Sequence, residues 1–156
     1  VGIGAVIFGE LSAHRGRDNE FDWKKVLALD GETGPYVQYS AVRCRSLLQK
    51  AAEKKEFPTK AMPTAYRFSA EEESLLLALG GFRSCLVQCT VDNEPYHLTH
   101  YLIDVAKAFN RFYYRFPVIQ STDREQRAIR MNLVQATSTR LMAGLNLLGI
   151  SCPKEM

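Results

Sequence analysis

Apolar residues recur at spacings of three and four along most of this chain, and the two-residue alternation typical of strands is nearly absent. This periodicity predicts an all-α fold. We expect a first helix over residues 4–13, a short one over residues 21–29, and longer helices over residues 34–54, 69–89, 95–116 and 123–148. Four substantial helices joined by connectors of modest length indicate a helical bundle.

Local signals predict where several of these helices begin and end. Thr33 or Gly34 can cap a helix whose first turn tolerates proline, and Ser69 with Glu72 has the spacing of a capping box. Gly149 is suited to close the last helix. The stretch of residues 54–67 contains three lysines and two prolines, so we expect it to be an exposed connector.

The helix that begins near Gly34 carries one narrow polar strip. At 100° per residue, five side chains fall within about 80° of one another; they are Tyr36, Tyr39, Arg43, Ser46 and Lys50. Its core-facing stripe lies elsewhere and comprises Val37, Ala41, Cys44, Leu48 and Ala51. Such a helix can pack on a domain while its tyrosines and cations meet a single-stranded RNA loop. Tyrosines that border a core and keep their hydroxyls in water give the same pattern, so periodicity alone leaves both interpretations open.

The helix over residues 95–116 ends in a second group of aromatic and basic residues. Tyr113 lies at the edge of its apolar stripe, whereas Arg111 and Arg115 face away from it. An edge tyrosine beside arginines can stack on an unpaired base while the cations meet phosphates. The alternative is a tyrosine at the rim of the core beside a solvated basic face.

Composition is that of one well-packed domain, with 156 residues, 46% hydrophobic and 24% charged. A net charge of +3 is compatible with a local basic face without proving a nucleic-acid partner. Four cysteines without C-x-x-C spacing are typical of reduced thiols in an intracellular protein. We find no apolar run near the length of a membrane span and no signal segment, so no membrane association is expected. Because Val1 leads directly into helical sequence, we expect a piece of a longer protein.

Candidate catalytic residues are few. His97 and His100 are spaced i,i+3, but no third metal ligand has helpful spacing. The acidic residues near Glu72 and Asp123 are explained by helix capping. The residues therefore predict no catalytic group, no metal site and no cofactor in this chain.

Several motifs nevertheless occur in an order and at a spacing that resemble a known family. They are Val1-Gly-Ile-Gly-Ala-Val-Ile-Phe-Gly-Glu-Leu, Phe21-Asp-Trp, Gly31-Glu-Thr-Gly-Pro-Tyr-Val-Gln-Tyr with Arg43, Phe109-Asn-Arg-Phe-Tyr, and Leu148-Gly-Ile with Pro153 and a terminal Met156. Together they resemble the carboxy-terminal part of arginyl-tRNA synthetase, a class I aminoacyl-tRNA synthetase, including its helical anticodon-binding domain. That domain is named for an Asp-Ala-Leu-Arg signature, where this chain has Arg127-Ala-Ile-Arg130. It also has Ala41-Val42 where the family usually has a histidine or similar polar residue.

The resemblance implies a division of the chain. Residues 1–30 would be the tail of the catalytic half and its connecting helices, and residues 31–156 the anticodon-binding domain. The parent enzyme would ligate arginine to its tRNA with ATP and magnesium, using motifs that precede Val1. This chain alone would then bind tRNA and not catalyse, as part of a cytoplasmic and monomeric enzyme whose catalytic domain is its partner within the same chain.

The resemblance also implies site residues. Tyr36, Tyr39 and Arg43 would contact the anticodon stem and loop of the arginine tRNA, and the loop of residues 31–34 would abut the anticodon arm. Tyr113 and Met156 would help to form a pocket for an anticodon base. The cations of the same two helices complete the expected tRNA contacts, and these are Lys50 and Arg111. A helical protein-interaction module without RNA binding is the competing hypothesis, in which the aromatic strip meets a partner helix.

Overall fold

The structure is a computed structural model that describes residues 1–16, 22–58 and 65–156. Within these ranges it contains helices and no strands. The helices are α1 (Gly2–Ser12), α2 (Trp23–Val26), α3 (Gly34–Glu53), α4 (Ala70–Gly80), α5 (Phe82–Asp92), α6 (Tyr96–Arg115) and α7 (Arg124–Leu147). The predicted all-α helical bundle is confirmed. Parts of two sequence predictions, the start of the short helix at Phe21 and the connector over residues 59–64, lie outside the described residues.

Helix α6 lies at the centre of the bundle. It packs against α1, α3, α4, α5 and α7, while α3 also packs along α7. Its predicted apolar stripe is buried, with Leu102, Val105, Phe109 and Phe112 fully enclosed. The largest buried side chain of α1, Phe8, belongs to the same hydrophobic core. The long helices α3 and α6 thus present their remaining faces together on one side of the bundle.

The start of α3 is fixed by its own sequence. The Thr33 hydroxyl oxygen accepts a hydrogen bond from the backbone N–H of Tyr36 at 3.2 Å, as a helix cap should. Gly34 is required for a different reason, which is the close approach of α1. A Cβ atom at this position would lie 2.7 Å from the Cβ of Phe8 and 3.1 Å from the backbone oxygen of Gly4. The polar strip of α3 therefore begins at a defined place against α1.

The capping box at Ser69 is present and is part of a buried ionic cluster. The Glu72 carboxylate accepts hydrogen bonds from the Ser69 backbone N–H, the Tyr66 hydroxyl and Arg130 Nε, at 2.8, 2.9 and 2.8 Å. Burial favours the neutral acid, but these donors outweigh it and hold the pKa of Glu72 below its usual value. The Arg130 guanidinium also lies 4.3 Å from the centre of the Phe116 ring. The last arginine of the motif Arg127-Ala-Ile-Arg130 thus ties α7 to α4 and to the end of α6.

The prediction of one continuous helix over residues 69–89 was wrong. The structure divides this segment at Gly80-Gly81 into α4 and α5. Two adjacent glycines have low helix propensity and contribute no side-chain contacts that would stabilise a continuous helix. Helix α5 then ends at Asn93, which has a left-handed conformation with φ 53°.

The same segment corrects the expectation about apolar runs. Over Ala70–Asp92 an 18-residue window reaches a mean hydropathy of 1.4, so by length and composition alone one helical segment of the described residues could cross a membrane. Only 11% of that window is buried, and Leu77 and Val91 are well exposed. One such segment is weak evidence for a membrane span, and the absence of membrane association stays a prediction.

Candidate nucleic-acid interface

The polar strip of α3 lies on the accessible side of the bundle. Tyr36, Tyr39 and Arg43 are half-buried and Lys50 is exposed, whereas Val37 on the opposite side is completely buried. The helical arithmetic therefore separated the two faces correctly.

A single asparagine on α6 joins the upper part of this strip into a network. The Asn110 side-chain oxygen accepts a hydrogen bond from Arg43 Nη1 at 2.7 Å. Its amide nitrogen donates to the Tyr36 hydroxyl at 2.9 Å and to Ser40 Oγ at 3.0 Å. Because Asn110 is only 8% exposed, these bonds are made away from bulk water. A buried donor or acceptor that loses its partner there cannot bond to water instead, which costs free energy. The amide thus holds α3 and α6 in one register.

The Arg43 guanidinium lies among three tyrosine rings. Its central carbon is 4.5 Å from the ring centre of Tyr39, 4.9 Å from that of Tyr113 and 5.7 Å from that of Tyr114. Nη2 also donates to the Tyr39 hydroxyl at 2.9 Å. Burial by itself would lower the pKa of Arg43. The hydrogen bond to the Tyr39 hydroxyl outweighs this effect and leaves the pKa above its usual value, so the group stays protonated. A fixed cation surrounded by aromatic faces can bind a phosphate and a base at the same place.

Two grooves flank this cluster, and Tyr114 lines both. One has a volume of about 580 Å³ and is lined by Tyr36, Glu71, Lys107, Asn110, Arg111, Tyr114 and Arg115. The other has about 410 Å³ and is lined by Leu47, Lys50, Tyr113, Tyr114 and residues 116–120. We call them the arginine groove and the lysine groove. Each groove combines aromatic surface with at least one cation.

The carboxy-terminal residues are anchored to the same helix α3. Arg45 Nη2 donates to the backbone oxygens of Pro153 and Lys154 at 3.1 and 2.7 Å. About two turns earlier on α3, Gln38 Nε2 donates to the backbone oxygen of Ser151 at 2.8 Å. Met156 is 43% exposed and makes no hydrogen bond within the described part of the chain. These bonds place the terminal segment along α3 without bringing Met156 into the network.

The structure thus brings together most of the residues that the sequence singled out. Tyr36, Tyr39, Arg43 and Tyr113 form one cluster with Asn110, Lys50 lines the lysine groove, and Arg111 lines the arginine groove. The expected pocket of Tyr113 and Met156 stays a prediction.

Sequence reasoning missed Asn110 and Tyr114. A helical projection could have found Tyr114, because it falls about 160° from Leu98 and so lies off the apolar stripe. The same projection places Asn110 about 120° from Leu98, also off the stripe, but it gives no sign that this polar residue is buried, because its burial depends on the packing of α3 against α6.

The two histidines considered as candidate catalytic or metal-binding residues both make contacts within their own part of the fold. His97 Nε2 lies 2.7 Å from the Asp92 carboxylate, and the ring of His100 packs against that of Tyr96. Within the described ranges, no group of three or more His, Cys, Asp or Glu side chains could hold a metal ion. The resemblance implies ATP and magnesium for the parent enzyme, and the absence of a cofactor in this chain stays a prediction.

Comparison with known proteins gives consistent results. Residues 37–156 match the family described as the DALR anticodon binding domain. Over all 156 residues the chain is 43% identical to the arginine–tRNA ligase of Clostridium botulinum (strain Langeland) and 40% identical to that of Clostridium kluyveri. It spans 27% of the length of each of these relatives.

Solved structures agree with the sequence relatives. The arginyl-tRNA synthetase of Thermus thermophilus superimposes with a TM-score of 0.87 at 30% identity, covering 99% of this chain and 26% of that protein. The enzyme of Plasmodium falciparum has the same fold, with a TM-score of 0.81 at 22% identity over 99% of this chain and 27% of its own. The domain match and the similarity over the whole sequence together show that this chain belongs to the DALR anticodon-binding domain family, in the form found in arginine–tRNA ligases.

Proposed function

We propose that this chain is the tRNA-recognition part of an arginyl-tRNA synthetase and that it binds the anticodon stem and loop of the arginine tRNA. The observation that carries the proposal is the Arg43 guanidinium, held among three tyrosine rings and beside two grooves that contain cations. Stacking on unpaired bases and phosphate contacts are the interactions that single-stranded RNA offers.

Specific roles follow for the residues of the site. Tyr36, Tyr39 and Tyr113 supply aromatic faces and hydroxyls, and Arg43 is their shared cation. Lys50 and Arg111 receive phosphates in the two grooves. Met156, at the end of the segment that Arg45 anchors, covers an anticodon base together with Tyr113.

The rest of the parent protein carries the chemistry. It joins arginine to the tRNA with ATP and magnesium, in the cytoplasm and as a monomer, and this chain alone contributes recognition. Residues 1–30 form the tail of the catalytic half, and residues 31–156 form the recognition domain. Support for this boundary comes from the family match, which begins at residue 37, while similarity to the ligases extends back to Val1.

A salt titration tests the proposal. We expect the chain to bind a fluorescent arginine tRNA transcript weakly and only at low salt, because few phosphate contacts are available. Arg43→Ala and Tyr113→Ala should each weaken binding on the order of tenfold. Lys50→Ala should reduce the slope of log affinity against log salt by roughly 0.7 to 1, the contribution of one phosphate contact. Lys24→Ala on α2 serves as the matched lysine control and should change neither quantity.

The competing hypothesis of a protein-interaction module makes a different prediction. That hypothesis places the partner helix on the aromatic strip of α3, and the structure adds a second, apolar surface on α4 and α5, where Leu77 is 78% and Val91 is 69% exposed. An apolar protein contact should persist as salt increases, whereas RNA binding should fall steeply. If the wild type, Arg43→Ala and Tyr113→Ala all bind unrelated tRNAs equally well, specific recognition is contradicted.

A further inference from the structure

Tyr114 is the most exposed aromatic side chain of the site. It is 78% exposed, although it lies within the last turn of α6, two residues after the core residue Phe112. Burying a tyrosine ring is normally favourable, so a ring left in solvent at the junction of two grooves is available to a ligand.

The Tyr114 ring is supported from behind. Its centre lies 6.0 Å from that of Tyr113, at an interplanar angle of 68°, and 5.7 Å from the Arg43 guanidinium. Tyr113 in turn packs toward the core, with its ring centre 6.0 Å from that of Phe109. The two tyrosines therefore differ: Tyr113 is held against the protein, and Tyr114 extends outward from it.

Cations lie on the arginine-groove side of Tyr114. Arg111 is exposed, and its side chain makes no hydrogen bond or ion pair with any described residue. Arg115 is only loosely paired, with Nε 3.9 Å from the Glu71 carboxylate, and its side chain is 71% exposed. Lys107, by contrast, is paired with Glu32 at 2.6 Å. The groove thus offers two guanidinium groups that a phosphate could bind without breaking a close ion pair.

We propose that Tyr114 is a second base-stacking platform, separate from Tyr113, and that Arg111 and Arg115 bind the phosphate of the nucleotide stacked on it. The ligand is one unpaired nucleotide of the tRNA loop, seated in the arginine groove. Its volume of about 580 Å³ falls within the range of ordinary small-molecule sites. This assignment rests on the proposed function and extends it to a nucleotide that the Tyr113 site does not hold.

Fluorescence of a modified RNA tests the assignment. The probe is the anticodon stem-loop of the arginine tRNA, with 2-aminopurine placed at one loop position at a time. We expect the wild-type chain to quench at least two positions, and Tyr114→Ala to lose one of them and to bind on the order of tenfold more weakly. Tyr113→Ala should lose a different position. Tyr114→Phe keeps the ring and should retain the quenching that Tyr114→Ala loses.

The outcomes separate this assignment from the function on which it rests. Phe57→Ala removes another exposed ring, outside the cluster, and controls for general loss of aromatic surface. If Tyr114→Ala binds and quenches like the wild type while Arg43→Ala binds on the order of tenfold more weakly, tRNA recognition stands and the second platform is refuted. If Tyr113→Ala and Tyr114→Ala lose the same position, there is one platform and the assignment is wrong. If the wild type does not bind the stem-loop at all, both proposals are overturned.

Discussion

Arg43 on α3 and Asn110 on α6 are bonded side chain to side chain, and this bond fixes the direction of every other hydrogen bond around it. A guanidinium has only donors, so the Asn110 oxygen faces Arg43 and its amide nitrogen faces Tyr36 and Ser40. The hydroxyls of Tyr36 and Tyr39 then act as acceptors within the protein. Each keeps its own O–H free to donate to a ligand oxygen.

Replacing Asn110 with alanine should therefore affect both stability and binding. The change leaves the Arg43 Nη1 group without its partner and removes the link to Tyr36, in a nearly buried place. We expect a loss of about 1 to 3 kcal/mol in the free energy of unfolding, measured by urea denaturation. The affinity for arginine tRNA should also fall, since Arg43 is no longer oriented.

Asn146→Ala is the matched control for this experiment. Asn146 lies on α7 and is exposed, so its replacement should change the free energy of unfolding by less than about 0.5 kcal/mol. A loss as small as this for Asn110→Ala would mean that the Asn110 network contributes nothing to the stability of the fold.

Replacing Arg43 with lysine should weaken tRNA binding even though the charge is conserved. An ammonium group cannot bond Asn110 and Tyr39 in one plane and at the same time lie flat among three rings. We expect a dissociation constant larger on the order of tenfold by fluorescence anisotropy, with a nearly unchanged salt slope. Arg83→Lys, on an exposed part of α5, should leave the dissociation constant unchanged. If Arg43→Lys binds tRNA with wild-type affinity, Arg43 contributes to binding only through its charge.

Replacing Glu72 with glutamine should change how stability depends on pH. Because the pKa of Glu72 is lowered on folding, its ionised form stabilises the protein above the unfolded-state pKa of about 4.3, and this stabilisation is lost as pH falls through the folded-state pKa. We expect the wild type to be more stable than Glu72→Gln by about 3 kcal/mol at pH 7.

Urea denaturation at pH 7, 5, 4 and 3 measures this difference, which should stay constant down to about pH 5 and then shrink. Glu73→Gln, on the exposed side of the same turn, should have little effect at pH 7. A difference between wild type and Glu72→Gln that does not vary with pH would contradict the assigned ion pair with Arg130.

Replacing Gly34 with alanine should destabilise the junction of α1 and α3. The new methyl group would overlap Phe8 and press on the backbone oxygen of Gly4, neither of which can move without shifting a helix. We expect a loss of about 1 to 3 kcal/mol in the free energy of unfolding, seen as a lower Tm.

Gly2→Ala tests whether alanine itself is responsible. Apart from its own helix turn and chain neighbours, no atom lies within 4 Å of the position of its added Cβ, so this change should be neutral or slightly stabilising. If Gly34→Ala melts at the wild-type temperature, α1 and α3 do not approach as closely as described.

Sequence reasoning found what depends on local spacing. The strip of Tyr36, Tyr39 and Arg43 and the capping box of Ser69 follow from residues within a turn or two of one another, and both are present. Asn110 could not be found in this way, since its role depends on how α6 packs against α3, nearly 70 residues apart in sequence. The division of residues 69–89 was missed because the apolar pattern continues through Gly80 and Gly81 even though the helix does not.

The network around Arg43 has a thermodynamic consequence for RNA binding. Its guanidinium is already held by Asn110 and Tyr39, so binding does not have to immobilise a free arginine side chain, an entropy cost of about 0.5 to 1.5 kcal/mol for one long side chain. The free protein therefore presents a preorganised cation, and the conformational cost of recognition falls mainly on the RNA loop.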